Sequence, residues 1–340
     1  MTAPSDSKPG GAAPRADLLA AEEPLGIRVD GTALTVTMRT PGDDLELAAG
    51  FLVSEAVVRS AADIAEIKVC DGTSCGHGDH DGPGNIADVS LAPGVAVMPA
   101  ARRNFMTTSA CGVCGKASIE DICVLPHAAL LMDETRVPAA VLASLPDRLR
   151  TAQRVFSRTG GLHAAGLFTG SGELIAVRED VGRHNAVDKI VGWALLNDKL
   201  PLTGCILLVS GRASFELVQK AVLAGIPLLA AVSAPSSLAA DLANEAGLTL
   251  VGFLRGLTMN VYAGPHRLRV EADERSSGLQ LAPWTWPAGP DRRRSGRSCY
   301  EGRDRRPRCA LRAARPGRAH YRGVGAGRER QDDPAPVLDR

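Results

Sequence analysis

The sequence predicts an α/β protein: a sheet domain covered by helices on both faces, preceded by a small α+β domain. Three observations lead there. Between Leu162 and Gly256, short Val/Ile/Leu-rich runs alternate with amphipathic ones. The short runs are continuously apolar, as strands buried on both faces are. Ahead of them, between Gly26 and Pro93, β-rich runs flank one helical pattern.

The elements follow in order. Residues 1–20 are rich in Pro, Gly, Ala and Ser and are expected to be disordered. Residues 21–100 make the small α+β domain. There GIRVD and ALTVTMRT read as a hairpin across a Gly-containing turn. DDLELAAGFLVSEAVV reads as a helix behind an Asp-rich start, with Leu45, Ala48, Ala49, Leu52, Val53 and Ala56 on its apolar face. IAEIKVC and NIADVSLAP read as strands separated by the loop CDGTSCGHGDHDGPG. Residues 101–269 make the sheet domain. A helix is predicted to begin near Cys111 and Cys114 and to run through Ile119, Cys123 and Leu125. LHAAGLF and LIAVRED read as strands, and NAVDKIVGWALL as a helix burying Val187, Ile190, Val191, Ala194 and Leu195. Then come strand CILLVSG, helix FELVQKAVLAG, strand PLLAAVSA, helix SSLAADLANEAG and strand LTLVGFLRG, and MNVYA closes the ordered part. Residues 270–340 are Arg, Pro and Gly rich without periodicity; they read as a disordered tail or a non-native extension.

Charge and composition narrow the function. The net charge of +1 hides an asymmetry: residues 291–340 carry +8 from fifteen Arg against seven Asp or Glu, leaving −7 for residues 1–290. An acidic body repels nucleic acid, and 4% aromatic residues supply no stacking platform for single strands. The first residues contain no apolar signal core, and no run of 18 apolar residues occurs, so neither export nor a membrane partner is expected. Eight Cys in that setting read as reduced thiols of a cytoplasmic protein.

The segment TTSACGVCGKAS places Cys111 and Cys114 two residues apart. Such a pair suits half a zinc site, a redox couple or a sulfur carrier. A structural zinc needs four ligands, and the remaining two would have to come from the Cys70–His80 loop, whose Gly and Asp content reads as a solvated surface. Zinc deaminases pair H-x-E with P-C-x-x-C. Here Ala110 replaces the Pro, and the tripeptide His163-Ala-Ala165 follows the pair and lacks the Glu. A thioredoxin-type couple would follow a first strand. A mobile, reactive pair fits best: Gly112 and Gly115 leave the backbone pliable, and a helix start favours the thiolate that attacks a persulfide.

A second constellation is Arg178-Glu-Asp-Val-Gly-Arg-His-Asn185, continuing to Asp188 and Lys189. It sets Glu179, Asp180, Arg183, His184 and Asn185 at a strand-to-helix junction, where α/β sheets gather ligands. The bland alternative is that Asp180 or Asn185 caps the helix while Arg178 and Glu179 form surface ion pairs. Ser210-Gly-Arg212 and Phe253-Leu-Arg-Gly-Leu-Thr258 are two further polar strand ends. Together they suggest an anionic ligand, with Arg178, Arg183, Arg212 and Arg255 as candidate phosphate partners. Cys123 and Cys205 read as inert core thiols.

RNFMTTSACGVCGKASIEDI, TGGLHAAGLF, AVREDVGRHNAVDKIVGWAL, LLVSGRASFELVQKAVLAGIPLLAAVSAPSSLA and GFLRGLTMNVYAG closely resemble the formate dehydrogenase accessory sulfurtransferases, the FdhD family, from about Glu22 to Arg267. The resemblance implies a cytoplasmic homodimer with a cytidine-deaminase-like three-layer sheet domain that has lost its zinc, so no permanently bound metal is expected. It implies a sulfur carrier enzyme that takes persulfide sulfur from a cysteine desulfurase. The sulfur would pass to the Mo-bis(molybdopterin guanine dinucleotide) of formate dehydrogenase, bound as substrate. On that resemblance Cys111 is the persulfide cysteine and Cys114 its partner. The resemblance makes Phe253, Leu254, Arg255, Gly256, Leu257 and Thr258 a cofactor-binding segment, and the polar strand ends add Arg212, Arg183 and His184 as further expected contacts. A metal- or nucleotide-binding scaffold without chemistry is the alternative. The Arg-rich tail departs from the family pattern.

Overall fold

The protein is seen in a computed structural model that describes residues 17–70, 85–95, 128–270 and 280–283. Strands β1 (Glu23–Val29) and β2 (Thr32–Arg39) form the expected hairpin. Asp30 and Gly31 at its tip have φ of 49° and 72°, as a two-residue hairpin turn requires. Strands β3 (Ile64–Cys70) and β4 (Ile86–Leu91) pair antiparallel, and β4 runs parallel to β1, giving the order β2-β1-β4-β3.

Helix α1 (Asp44–Ser54) is shorter than its apolar pattern. Val57 N–H donates to Leu52 O and Ala56 N–H to Val53 O, a closure that needs a left-handed residue. Ala56 supplies it (φ 56°) and is exposed, and Val58 takes the buried place expected of it. Leu45, in the first turn, is also on the solvent side, 43% exposed.

The larger sheet has seven strands: β6 (His163–Thr169), β7 (Leu174–Asp180), β8 (Cys205–Val209), β9 (Leu228–Ala231), β10 (Thr249–Arg255), β11 (Thr258–Ala263) and β13 (Gln280–Pro283), ordered β13-β11-β10-β9-β8-β6-β7. β8, β9 and β10 are mutually parallel, and β6 runs antiparallel to β8. Helices α5 (Arg183–Leu196), α6 (Phe215–Leu223) and α7 (Ser237–Ala246) cover one face. Helix α3 (Ala139–Ala152) covers the other through Leu142, Leu145 and Leu149. Two single-turn helices, α2 (Ala128–Leu131) and α4 (Phe156–Thr159), flank α3.

The chain continues in structure past MNVYA. β12 (Leu268–Arg269) pairs with β5 (Val137–Pro138), and β13 joins β11 within the stretch expected to lack structure. Arg267 anchors this end: it is 4% exposed and donates to Gly247 O (2.7 Å) and Leu130 O (3.1 Å). Backbone carbonyls that would otherwise be buried without partners explain why an arginine sits there.

The two sheets are joined by α1 and α5. All five residues expected to form the buried face of α5 are 0–1% exposed. Gly50 of α1 meets Gly192 of α5 so closely that a Cβ built on either would land on backbone, on Asp188 O or Glu46 O. Glycine in a helix interior costs about 1 kcal/mol relative to Ala, and the close approach offsets it. Gly192→Ala should therefore destabilise by about 1–3 kcal/mol or more through overpacking. Thermal melting checks this, with Gly161→Ala, whose Cβ would find only ordinary contact at 3.5 Å, expected to be near neutral.

Candidate ligand site at the sheet end

The parallel strands β8, β9 and β10 all end on one side of the sheet. Antiparallel β6 starts there, because His163 pairs with Asp180 and Ala165 with Val209. His163, Asp180–His184, Ser210–Ser214, Val232–Ser233 and Phe253–Arg255 therefore share one sheet end. Cross-bonds tie the loops together: Ser233 N–H to Gly211 O (3.3 Å), Phe253 N–H to Ser233 O (3.1 Å) and Ala164 N–H to Ser210 Oγ (2.9 Å). Helices α5, α6 and α7 begin directly after β7, β8 and β9, so three positive helix ends face the same side.

Most of the charged block at β7–α5 is consumed inside the chain. Asp180, fully buried, pairs with Lys189 Nζ at 2.8 Å and accepts from Thr40 N–H, Gly182 N–H and Asn185 Nδ2. Asn185 Nδ2 also donates to Met38 O (2.7 Å). Glu179 accepts from the N–H groups of Val155 and Phe156 at 2.9 and 2.8 Å and so caps α4. Arg178 is gripped by both carboxylate oxygens of Glu46 and lies 3.5 Å from Asp43. Its guanidinium is committed to α1, which corrects the expectation that it meets a phosphate. The bland reading thus holds for Arg178, which pairs with Glu46; α5 starts from Gly182 without a side-chain cap, and Glu179 caps α4.

Arg183, His184 and Arg212 lie toward Gly211 and Ser214. A Cβ on Gly211 would lie 3.4 Å from the His163 ring and 3.8 Å from Arg183 Cδ, so these groups close around a glycine that leaves room between them. Arg212 is exposed. Arg255 bends back over β9, donating to Val232 O at 3.3 Å. Phe253 has φ 52° and stands 39% exposed where the β10–β11 register breaks between Gly252 and Arg255. A left-handed Phe costs about 1–3 kcal/mol and persists only when its surroundings dictate it. Here the bond to Ser233 and the crowding of Gly252, whose Cβ would be 2.8 Å from Pro235 Cδ, dictate it. Leu254 is buried; Gly256, Leu257 and Thr258 form the exposed turn into β11.

Two features of the site went unread in the sequence. His184 Nε2 lies 3.1 Å from Ser214 Oγ and 3.2 Å from Glu216 Oε2. Hydroxyl and acid address the same nitrogen, whereas a Ser-His-acid triad needs the acid on Nδ1, so this is no hydrolase triad. Behind it Glu216 Oε1 is 3.4 Å from Lys220 Nζ, Lys220 pairs with buried Asp188 at 2.8 Å, and Ser54 Oγ of α1 donates to Asp188 at 2.6 Å. Burial alone would lower the Lys220 pKa, but the Asp188 and Glu216 charges hold it above its usual value. The i, i+4 spacing of Glu216 and Lys220 on one helix was the available signal.

Cys111, Cys114 and Cys123 and the helix expected near them lie outside the described residues, as does the loop at 71–84. Cys205 is half-buried, its thiol pushed up first by burial and then by Asp133. No helix among the described residues is long and apolar enough to cross a membrane.

Burial pushes the His184 pKa down to about 4, against the opposing pull of Glu216 and aided by Lys220, Arg183 and His163. A folded-state pKa below the unfolded one means that stability is full above about pH 6.5 and lost as pH falls toward 4. The loss should approach about 3 kcal/mol. Urea melts at pH 7 and pH 4.5 should show that part of the acid sensitivity disappearing in His184→Asn.

Residues 20–269 match the FdhD/NarQ family model. A sulfur carrier protein FdhD of Streptomyces avermitilis is 60% identical over 268 residues, covering 77% of this chain and 93% of that protein. The Streptomyces coelicolor protein of the same name is 59% identical over 265 residues, with coverage of 77% and 93%. A crystal structure of a protein described as a formate dehydrogenase accessory protein from Desulfotalea psychrophila superposes with TM-score 0.59 at 26% identity, covering 77% of this chain and 95% of that one. The chain belongs to the FdhD/NarQ family of sulfur carrier proteins.

Proposed function

We propose that the protein accepts persulfide sulfur from a cysteine desulfurase and hands it to the Mo-bis(molybdopterin guanine dinucleotide) that formate dehydrogenase requires. The observation that carries this reading is the sheet end, where Arg183, His184, Arg212 and Arg255 lie on the same side as three helix starts in a member of a sulfur carrier family. Positive helix ends and guanidinium groups suit the phosphates of a dinucleotide. Phe253, held in a strained conformation and 39% exposed, suits stacking on a guanine. The seven-stranded sheet with helices on both faces is compatible with a cytidine-deaminase-like three-layer domain. The protein works as a cytoplasmic homodimer in this reading.

The chemistry belongs to Cys111 and Cys114. Cys111 thiolate attacks the outer sulfur of the desulfurase persulfide, and the desulfurase cysteine leaves as a thiolate. Cys114 thiolate then attacks the inner sulfur of the Cys111 persulfide. A Cys111–Cys114 disulfide forms and the outer sulfur departs as hydrosulfide to the molybdenum of the bound substrate; a thiol reductant restores both cysteines.

Intact-mass spectrometry after incubation with a desulfurase and cysteine tests the reading. Wild type and Cys114→Ser should gain one sulfur, Cys111→Ser none, and Cys114→Ser should fail to activate formate dehydrogenase. Activation by the double Ser variant would replace the carrier with a scaffold. For the nucleotide, Arg212→Ala and Arg255→Ala should each weaken guanine nucleotide binding about 10- to 150-fold, the cost of a lost charge-assisted bond. Unchanged titrations in both would move the pocket elsewhere.

A further inference from the structure

The body of the chain is acidic, yet one surface is not. From Ala139 to Gly161 the only acidic residue is Asp147, against Arg148, Arg150, Arg154 and Arg158. Arg148 is tied down by a bond to Gly172 O (2.8 Å). Arg150, Arg154 and Arg158 are exposed and make no ion pair among the described residues. Val155, 40% exposed, lies between them in sequence, and the Arg150 guanidinium sits 5.6 Å from the centre of the Phe156 ring.

Two observations separate this patch from an ordinary solvated helix end. First, its composition is that of an interface rather than a solubilising surface: arginine with an aromatic and an aliphatic centre and no lysine, the neighbouring Glu179 being spent on the Val155 and Phe156 N–H groups. Second, it is held in place. Glu179 bonds the N–H groups of both Val155 and Phe156, and Glu179 adjoins Asp180 at the sheet end. The patch is therefore a fixed shoulder beside the ligand site. A net charge of −7 on residues 1–290 disfavours a polyanionic nucleic acid over a local cluster of carboxylates.

We infer that Arg150, Arg154 and Arg158, around Val155 and Phe156, form the docking surface for an acidic face of the protein that donates the sulfur. This rests on the proposed function, in which that donor is a cysteine desulfurase. Guanidinium–carboxylate pairs at such a rim steer association and make it salt-sensitive.

The test measures desulfurase binding by the full-length protein at 50 and 300 mM salt, using wild type and the Arg150→Glu/Arg154→Glu/Arg158→Glu variant. The expected result is a salt-sensitive wild-type Kd and at least tenfold weaker binding by the variant at 50 mM. Its rate of sulfur gain from the desulfurase should fall in parallel, with an unchanged melting temperature. The triple Gln variant, which removes charge without reversing it, should fall between the two and guards against misfolding. Equal Kd in wild type and both variants, while wild type still gains sulfur, overturns the patch and leaves the carrier reading standing. No binding and no sulfur gain by wild type overturns both. Salt-sensitive retention of double-stranded DNA by wild type, lost in the variant while desulfurase binding persists, overturns the patch in favour of nucleic acid.

Discussion

The backbone-to-backbone crossing of α1 and α5 at Gly50 and Gly192 is the constraint on which the molecule depends. It brings the helix of the small sheet against the helix that leads away from the candidate ligand end of the large one. Only at that distance can Ser54 reach Asp188. From Asp188 the polar chain runs through Lys220 and Glu216 to His184. A buried carboxylate stripped of its partners is costly, so packing and electrostatics hold each other in place. The hydrophobic core is continuous across both sheets on this face, containing Leu25 and Ile27 of β1 together with Leu207 and Leu229 of the large sheet.

That scaffold explains the division of labour among the charges. Arg178, Asp180, Lys189 and Asn185 serve the junction of α5 with β2 and α1. Because they are satisfied internally, they hold the start of α5 rigidly. Arg183 and His184, the first residues of α5, then sit beside Gly211 and Ser214. Rigid support behind a small number of presented groups is what a binding site for an anionic ligand needs.

Much of this was legible in the sequence. The strands β6 to β10 and helices α5 to α7 emerged from apolar runs and helical spacing, because their burial on a two-faced sheet forces that pattern. Helix α3 did not emerge: Pro146 lies inside it and proline ordinarily marks a helix end. The extent of α1 was misread because a non-glycine residue, Ala56, provides the left-handed closure. The polar strand ends were legible as a class, but periodicity cannot say which charges are spent on neighbours distant in sequence. Arg178 on Glu46 spans 132 residues, and Ser54 on Asp188 spans 134. Gly50 and Gly192 carried a readable signal, since glycine within a helix calls for a packing reason.

The central claim is that the sheet end is where the guanine dinucleotide binds. Hydrogen–deuterium exchange of the full-length protein with and without GDP tests it most directly, because peptides spanning 180–184, 210–214 and 253–258 report the three strand ends separately. The account predicts that GDP slows exchange in all three together while the outer strands β2 and β3 stay unchanged. Protection confined to another surface, or none at saturating GDP, would contradict it.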